Sequence, residues 1–323
     1  MRTEASRRSF LKAGLAGLVL AAGIATSAPA LAQDKLTILL DWFVNPDHAP
    51  LYVAREMGYF RDAGLEVEMV APADPNDPPK LVAAGRADLA VSYQPQLQMQ
   101  AAEGLPLTRI GTLIATPLNT VVVLADGPVK SIADLKGRKV GYSVGGLEDA
   151  LLGAMLENAG LKLSDVELVN VNFSLSPALL SEQVDAVVGA YRNFELNQLD
   201  IEGKAGRAFY PEEHGVPPYD ELVIVANREK IADPRLPRFL DAVERGTLYL
   251  INHPAESWKL FVKANPELDD ELNRRAWRDT LPRFAHSPSA LDARRYERFA
   301  KFLKERELIG EIPNLADYAV ELR

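Results

Sequence analysis

Two α/β lobes, each a mostly parallel sheet flanked by helices, are predicted by three features of this sequence. A β-α-β-α-β pattern occurs twice, short segments recur between the two copies in one order, and near-continuous apolar runs join the copies. Lys35–Leu40 and Arg138–Tyr142 open the two units as short β-rich runs. Pro50–Asp62 and Glu148–Asn158 follow with helical spacing, through Leu51, Ala54 and Met57 in one and Leu147, Leu151, Ala154 and Met155 in the other. Gly64 and Gly160 stand where helix C-caps are expected. A strand, a helix and a third strand then complete each unit.

The recurrences are specific in order and spacing. Ala63-Gly64-Leu65 returns as Ala159-Gly160-Leu161, 96 residues on. Val67-Glu68-Met69-Val70 returns as Val166-Glu167-Leu168-Val169 at an offset of 99, and Asp88 before Leu-Ala-Val as Asp185 before Ala-Val-Val at 97. Three matches in one order, agreeing within three residues, point to a repeated lobe. Gly111–Ala115, Thr120–Ala125 and Leu222–Ala226 are the apolar runs that would carry the chain between lobes. This gives a first lobe at 33–118, a second at 119–223, and a return at 224–323 whose helical tail wraps back on the first. Sheets of this kind bind ligands at the carboxyl ends of their strands, so the expected site is the cleft between lobes.

Residues 1–32 read differently. Arg2, Arg7, Arg8 and Lys12 precede an apolar run from Ala13 to Ala25, then Ala30-Leu31-Ala32. This is the layout of a signal peptide, and Ser6-Arg7-Arg8-Ser9-Phe10-Leu11-Lys12 fits twin-arginine export. The leader carries +3 of the chain's net −9, leaving −12 on an exported, periplasmic protein. Such an acidic chain lacks the basic face that nucleic acid requires. With 323 residues and no cysteine, it has no thiolate nucleophile, disulfide or cysteine-ligated metal centre.

Candidate site residues come from the strand ends. Asp41-Trp42-Phe43-Val44-Asn45-Pro46-Asp47-His48 follows the first strand. Trp42 suits stacking on a flat ring and Asn45 hydrogen bonding to it, although a packed Trp and an Asn-Pro turn would give the same residues. Tyr93 ends the third strand, and Tyr191-Arg192-Asn193-Phe194-Glu195 ends its counterpart. Glu195 can accept two hydrogen bonds from an N–C–NH2 edge, or form a surface ion pair. Gly141-Tyr142-Ser143-Val144-Gly145 matches a nucleophile elbow, with Asp185 or Asp220 as acid and His253 or His286 as base. No oxyanion segment accompanies it, and Gly145-Gly146 at a helix N-terminus equally suits a carbonyl or anion. The four histidines form no metal-binding spacing and read as turn or surface residues.

The segment from Asp41 to Val70, DWFVNPDHAPLYVAREMGYFRDAGLEVEMV, resembles the ThiY-like periplasmic binding proteins, which deliver a formylated aminopyrimidine precursor of thiamine to an ABC transporter. Val91–Gln94, Gly189–Glu195 and His214–Asn227 resemble that family too. The resemblance implies the two-lobed type II periplasmic binding protein fold, no chemistry, no cofactor, a monomer, and a permease and its ATPase as partners. It makes Trp42 and Tyr191 stacking walls, lines the first lobe with Asn45, His48 and Tyr93, and sets Glu195 on the ring's amidine edge. Ala49-Pro50, Tyr191 and Arg192 depart from the pattern and leave riboflavin, another heteroaromatic or a small sulfonate as alternative solutes. Fungal pyrimidine-making relatives use a cysteine-rich iron motif, which a cysteine-free chain lacks.

Overall fold

The computed structural model describes residues 33–322; the leader and export motif expected at residues 1–32 lie outside the described residues. The first sheet begins with β1 (Asp34–Leu39), followed by α1 (Ala49–Glu56) and α2 (Tyr59–Asp62). The single helix expected over Pro50–Asp62 is broken because Gly58 takes φ +76, a left-handed conformation that is cheap for glycine and ends α1. Then come β2 (Leu65–Val70), α3 (Pro78–Ala83), β3 (Leu89–Ser92), α4 (Gln94–Ala102) and β4 (Leu107–Ile114). Gly64 and Gly160 both adopt positive φ where the helix ends were expected.

The second sheet repeats the plan with β5 (Asn119–Leu124), β6 (Lys139–Tyr142), α5 (Leu147–Asn158), β7 (Glu167–Asn170), α6 (Leu175–Leu180), β8 (Ala186–Tyr191), α7 (Glu195–Ile201) and β9 (Gly206–Phe209). The chain then returns to the first sheet in β10 (Leu222–Asn227). Strand order is β2-β1-β3-β10-β4 in one sheet and β7-β6-β8-β5-β9 in the other. In each, the fourth strand runs antiparallel to both neighbours and the other four share one direction. The internal repeat is therefore a repeated topology, with β10 and β5 as the exchanged strands.

Burial follows position in the sheet. All residues of β3, β4 and β10 are buried, so these strands need apolar side chains on both faces. Edge strand β2 exposes Glu66 and Glu68. After β10 the chain is helical: α8 (Arg235–Asn252), α9 (Pro254–Ala264), α10 (Glu271–Thr280), α11 (Ala293–Glu305) and α12 (Leu315–Tyr318). Helix α8 packs on α1, with Gly246 against Pro50 and Ala54; Leu240, Val243 and Leu250 are buried, whereas Leu248 of the same apolar run faces solvent. The fully buried Arg109 of β4 donates to the carbonyls of Pro288, Ser289 and Ala290, tying the tail to the first sheet.

Candidate ligand-binding site

Strand ends and helix starts from both sheets meet around a narrow cavity. Trp42 and Asp41 come from the segment after β1, Tyr93 from the end of β3, and Tyr191 from the end of β8. Glu195 opens α7, Glu148 lies in the first turn of α5, and Asn119 opens β5. Val144, Leu147 and Leu175 supply an apolar wall from the second lobe. The acids Asp41, Asp47, Glu148 and Glu195 line the cavity, and among the described residues no Lys, Arg or His does.

Local sequence sets the first-lobe side. Asn45 caps the short turn Pro46–His48, accepting the Asp47 N–H at 2.8 Å. Its own N–H donates to His48 Nδ1 at 3.3 Å, which leaves the imidazole proton on Nε2, 2.8 Å from Asp41 Oδ1. The other oxygen of Asp41 accepts the Tyr93 hydroxyl at 3.1 Å. His48 closes a turn, one of the two positions expected of lone histidines, but it is wholly buried there instead of at the surface and orients Asp41 instead of lining the cavity. At the mouth, Trp42 meets Phe173 of the second lobe edge to face at 4.6 Å, and Phe43 lies 4.4 Å from Phe173.

Contacts across the cleft draw the two sides together. Asn193 donates to Asp47 Oδ1 at 2.7 Å and lies 2.7 Å from Thr280 Oγ1. Asn76 of the first lobe donates to the Ser143 carbonyl at 3.2 Å and accepts the Gly145 N–H at 3.0 Å. Glu221, wholly buried beside the crossing segment, accepts the N–H groups of Leu118 and Asn119 at 2.6 and 2.9 Å.

Burial dominates the electrostatics. It pushes Asp47 up to about 6, Glu195 and Glu221 to about 7, and Glu148 to about 8. Hydrogen bonds pull the other way but lose; Glu195 accepts the Tyr191 N–H at 2.6 Å, and Glu148 that of Ser143 at 2.6 Å. The Tyr191 hydroxyl is buried with no partner among the described residues, although Tyr191 lines the cavity.

Of the residues singled out from sequence, Trp42, Asn45, Tyr93, Tyr191 and Glu195 line this cavity, and His48, Ser143, Gly145 and Asn193 do not. Glu195 is 7% exposed and enters none of the ion pairs found among the described residues, so the surface-pair alternative fails. The Ser143 hydroxyl donates to the Asn172 carbonyl, Asp185 pairs with Arg138, and Asp220 with Arg295. Asp41, Asp47, Asn119 and Glu148 were missed. Asp41 and Asp47 lay inside the quoted DWFVNPDH block, and Glu148 directly follows Gly145-Gly146-Leu147, the counterpart of a cleft-facing strand end.

A family model described as NMT1/THI5 like matches residues 45–257. A Haemophilus influenzae protein named for thiamine biosynthesis is 56% identical, over 93% of this chain and 96% of its own. The formylaminopyrimidine-binding protein of Halalkalibacterium halodurans is 35% identical, over 77% of this chain and 76% of its own. At 25% identity, over 86% and 89%, stands the 4-amino-5-hydroxymethyl-2-methylpyrimidine phosphate synthase of Legionella pneumophila. Among solved structures, a Candida albicans protein described as having the generic periplasmic binding protein fold superposes with a TM-score of 0.69, at 17% identity, over 90% of this chain and 97% of that one. The chain belongs to the NMT1/THI5-like family and has the periplasmic binding protein fold.

Proposed function

We propose that this chain is the exported solute-binding component of an ABC importer and that its cavity takes a thiamine-related aminopyrimidine, without chemistry, for delivery to a permease and its ATPase. One observation carries the reading: a buried carboxyl, Glu195, in a narrow aromatic cavity that holds only acids as charged groups. A flat base offering an N–C–NH2 edge pairs with Glu195 through two hydrogen bonds, its amino group donating to one carboxyl oxygen and its ring nitrogen accepting the proton that burial keeps on the other. Trp42 and Tyr191 bound the ring, and Asn45 and Tyr93 complete the first-lobe side. His48 acts through Asp41, and Asn193 through Asp47. The second lobe is taken as 119–223, and the working protein as the periplasmic monomer left when residues 1–32 are removed.

The charge of the cavity also sorts the alternatives. A sulfonate or a phosphate ester would bring its anion among four carboxyls with no cation to meet it. The Gly145 N–H, a candidate anion donor, is spent on Asn76. An unphosphorylated base is therefore favoured over the sulfonate alternative and over synthesis of a pyrimidine phosphate. The hydrolase reading is disfavoured because the Ser143 proton goes to a backbone carbonyl.

Calorimetry on the mature chain tests this with formylaminopyrimidine, 4-amino-5-hydroxymethyl-2-methylpyrimidine, thiamine, riboflavin and an alkanesulfonate. A pyrimidine Kd below about 10 μM, roughly −7 kcal/mol, is expected. Failure of both pyrimidines to reach that affinity removes the assignment.

A further inference from the structure

Glu148 is built into the cavity wall at some structural cost. Strand β8 carries Gly189 at φ +95, and the β5–β8 pairing shifts register beside it, between Thr120 and Val121. A Cβ on residue 189 would lie 2.1 Å from Glu148 Oε1 and 2.4 Å from its carboxyl carbon. Only glycine leaves room for the carboxyl there, and a shifted strand next to a site is a common way to re-aim a side chain. The opposite oxygen, Oε2, is held by the Ser143 N–H. No basic group pairs with Glu148 among the described residues, and burial holds its carboxyl up at about 8. A carboxyl so placed and so desolvated needs a reason.

Its neighbours separate it from Glu195. The Glu148 carboxyl packs against Gly189 with one oxygen held by the Ser143 N–H, whereas that of Glu195 is held by the Tyr191 N–H, two residues further along β8. The two carboxyls therefore stand at different points of one cavity lining, with Asn119, Gly189 and the Tyr191 hydroxyl, which has no partner among the described residues, on its second-lobe side. We propose that Glu148 is a second specificity-determining residue, its carboxyl hydrogen-bonding the polar side arm of the base while Glu195 holds the ring's amidine edge. The inference rests on the aminopyrimidine reading and adds to it a separate contact for the arm. The arm is neutral or a donor, because an anionic arm would face a carboxyl.

The test compares three probes on the mature chain: formylaminopyrimidine, the 5-hydroxymethyl base, and 4-amino-2-methylpyrimidine, which has no arm. Wild type should prefer the armed bases. Glu148→Leu keeps the bulk and removes the hydrogen bond; it should weaken armed bases at least tenfold and the armless base less than about threefold. Glu148→Gln, which retains both a donor and an acceptor, should restore the preference. Thermal melts establish that each variant is folded. An unchanged preference in Glu148→Leu overturns the proposal, as does a parallel loss for all three probes, which would mark a purely structural carboxyl. Wild type binding none of the three removes the aminopyrimidine reading itself and the arm contact with it, an outcome visible before any variant is titrated.

Discussion

Trp42 makes a T-shaped pair with Phe173 and lines the cavity, while Glu195 sits at the start of α7 with its carboxyl held by the Tyr191 N–H. Truncating either removes a contact that no neighbour replaces. Trp42→Ala and Glu195→Ala should each weaken pyrimidine binding at least tenfold, about 1.4 kcal/mol, in calorimetry, with melting curves close to wild type. Wild-type affinity in either variant would move the site elsewhere. Gly189→Ala acts differently, since the new methyl collides with Glu148 and the backbone is left-handed. It should cost about 1–3 kcal/mol in denaturant unfolding, the range of an overpacked interior. At this scale the sequence was informative only for residues whose chemistry advertises itself. Trp42, Tyr93 and Glu195 stand at strand ends with recognisable side chains. Glu148 read as an ordinary helix residue because nothing local distinguishes a carboxyl aimed at a cavity from one in solvent. His48 misled for the same reason: its burial depends on Asp41, Asn45 and the turn between them.

Short polar contacts join elements across the cleft. Asn193, between β8 and α7, reaches Asp47 of the first lobe and Thr280 of α10; Asn76 spans to Ser143 and Gly145. Such contacts form only when the lobes are together, so they favour the closed arrangement over an open one. Asn193→Ala leaves the buried Asp47 short of a donor and should shift the population toward open. The checks are a larger radius of gyration by small-angle scattering without ligand and an affinity lowered about tenfold; no change in either would show that Asn193 only packs. The repeat forecast these elements well, because alternating apolar runs and glycine breaks are local signals. Helix α1 ended early where Gly58 turned left-handed, a break the helical spacing alone had carried past. The antiparallel placing of β5 and β10 was not legible, since strand direction within a sheet is set by where the chain returns from.

For the molecule as a whole, four buried carboxyls whose desolvation outweighs their hydrogen bonds bias stability toward acid. Unfolded, Asp and Glu titrate at their ordinary values of 3.8 and 4.5, whereas in the folded protein Asp47 holds its proton to about 6, Glu195 and Glu221 to about 7, and Glu148 to about 8. Between those limits the native state binds more protons than the unfolded one, so raising the pH favours unfolding. The carboxylates held low, such as Asp233 and Glu271, act below that window. The ligand-free protein should therefore melt at a higher temperature at pH 5 than at pH 8, and Glu148→Gln should shrink the difference. A melting temperature that rises steadily across this range would show that these acids are ionised in the fold. By itself the sequence determined the two repeated α/β units, the net acidity of the chain and the residue types at the strand ends, because periodicity, composition and turn chemistry are short-range. Tertiary structure alone decided which of those residues share a cavity, that no cation joins them, and that Glu148 belongs with them. Those outcomes depend on side chains far apart in sequence and on the desolvation that comes only when two lobes close over the same space.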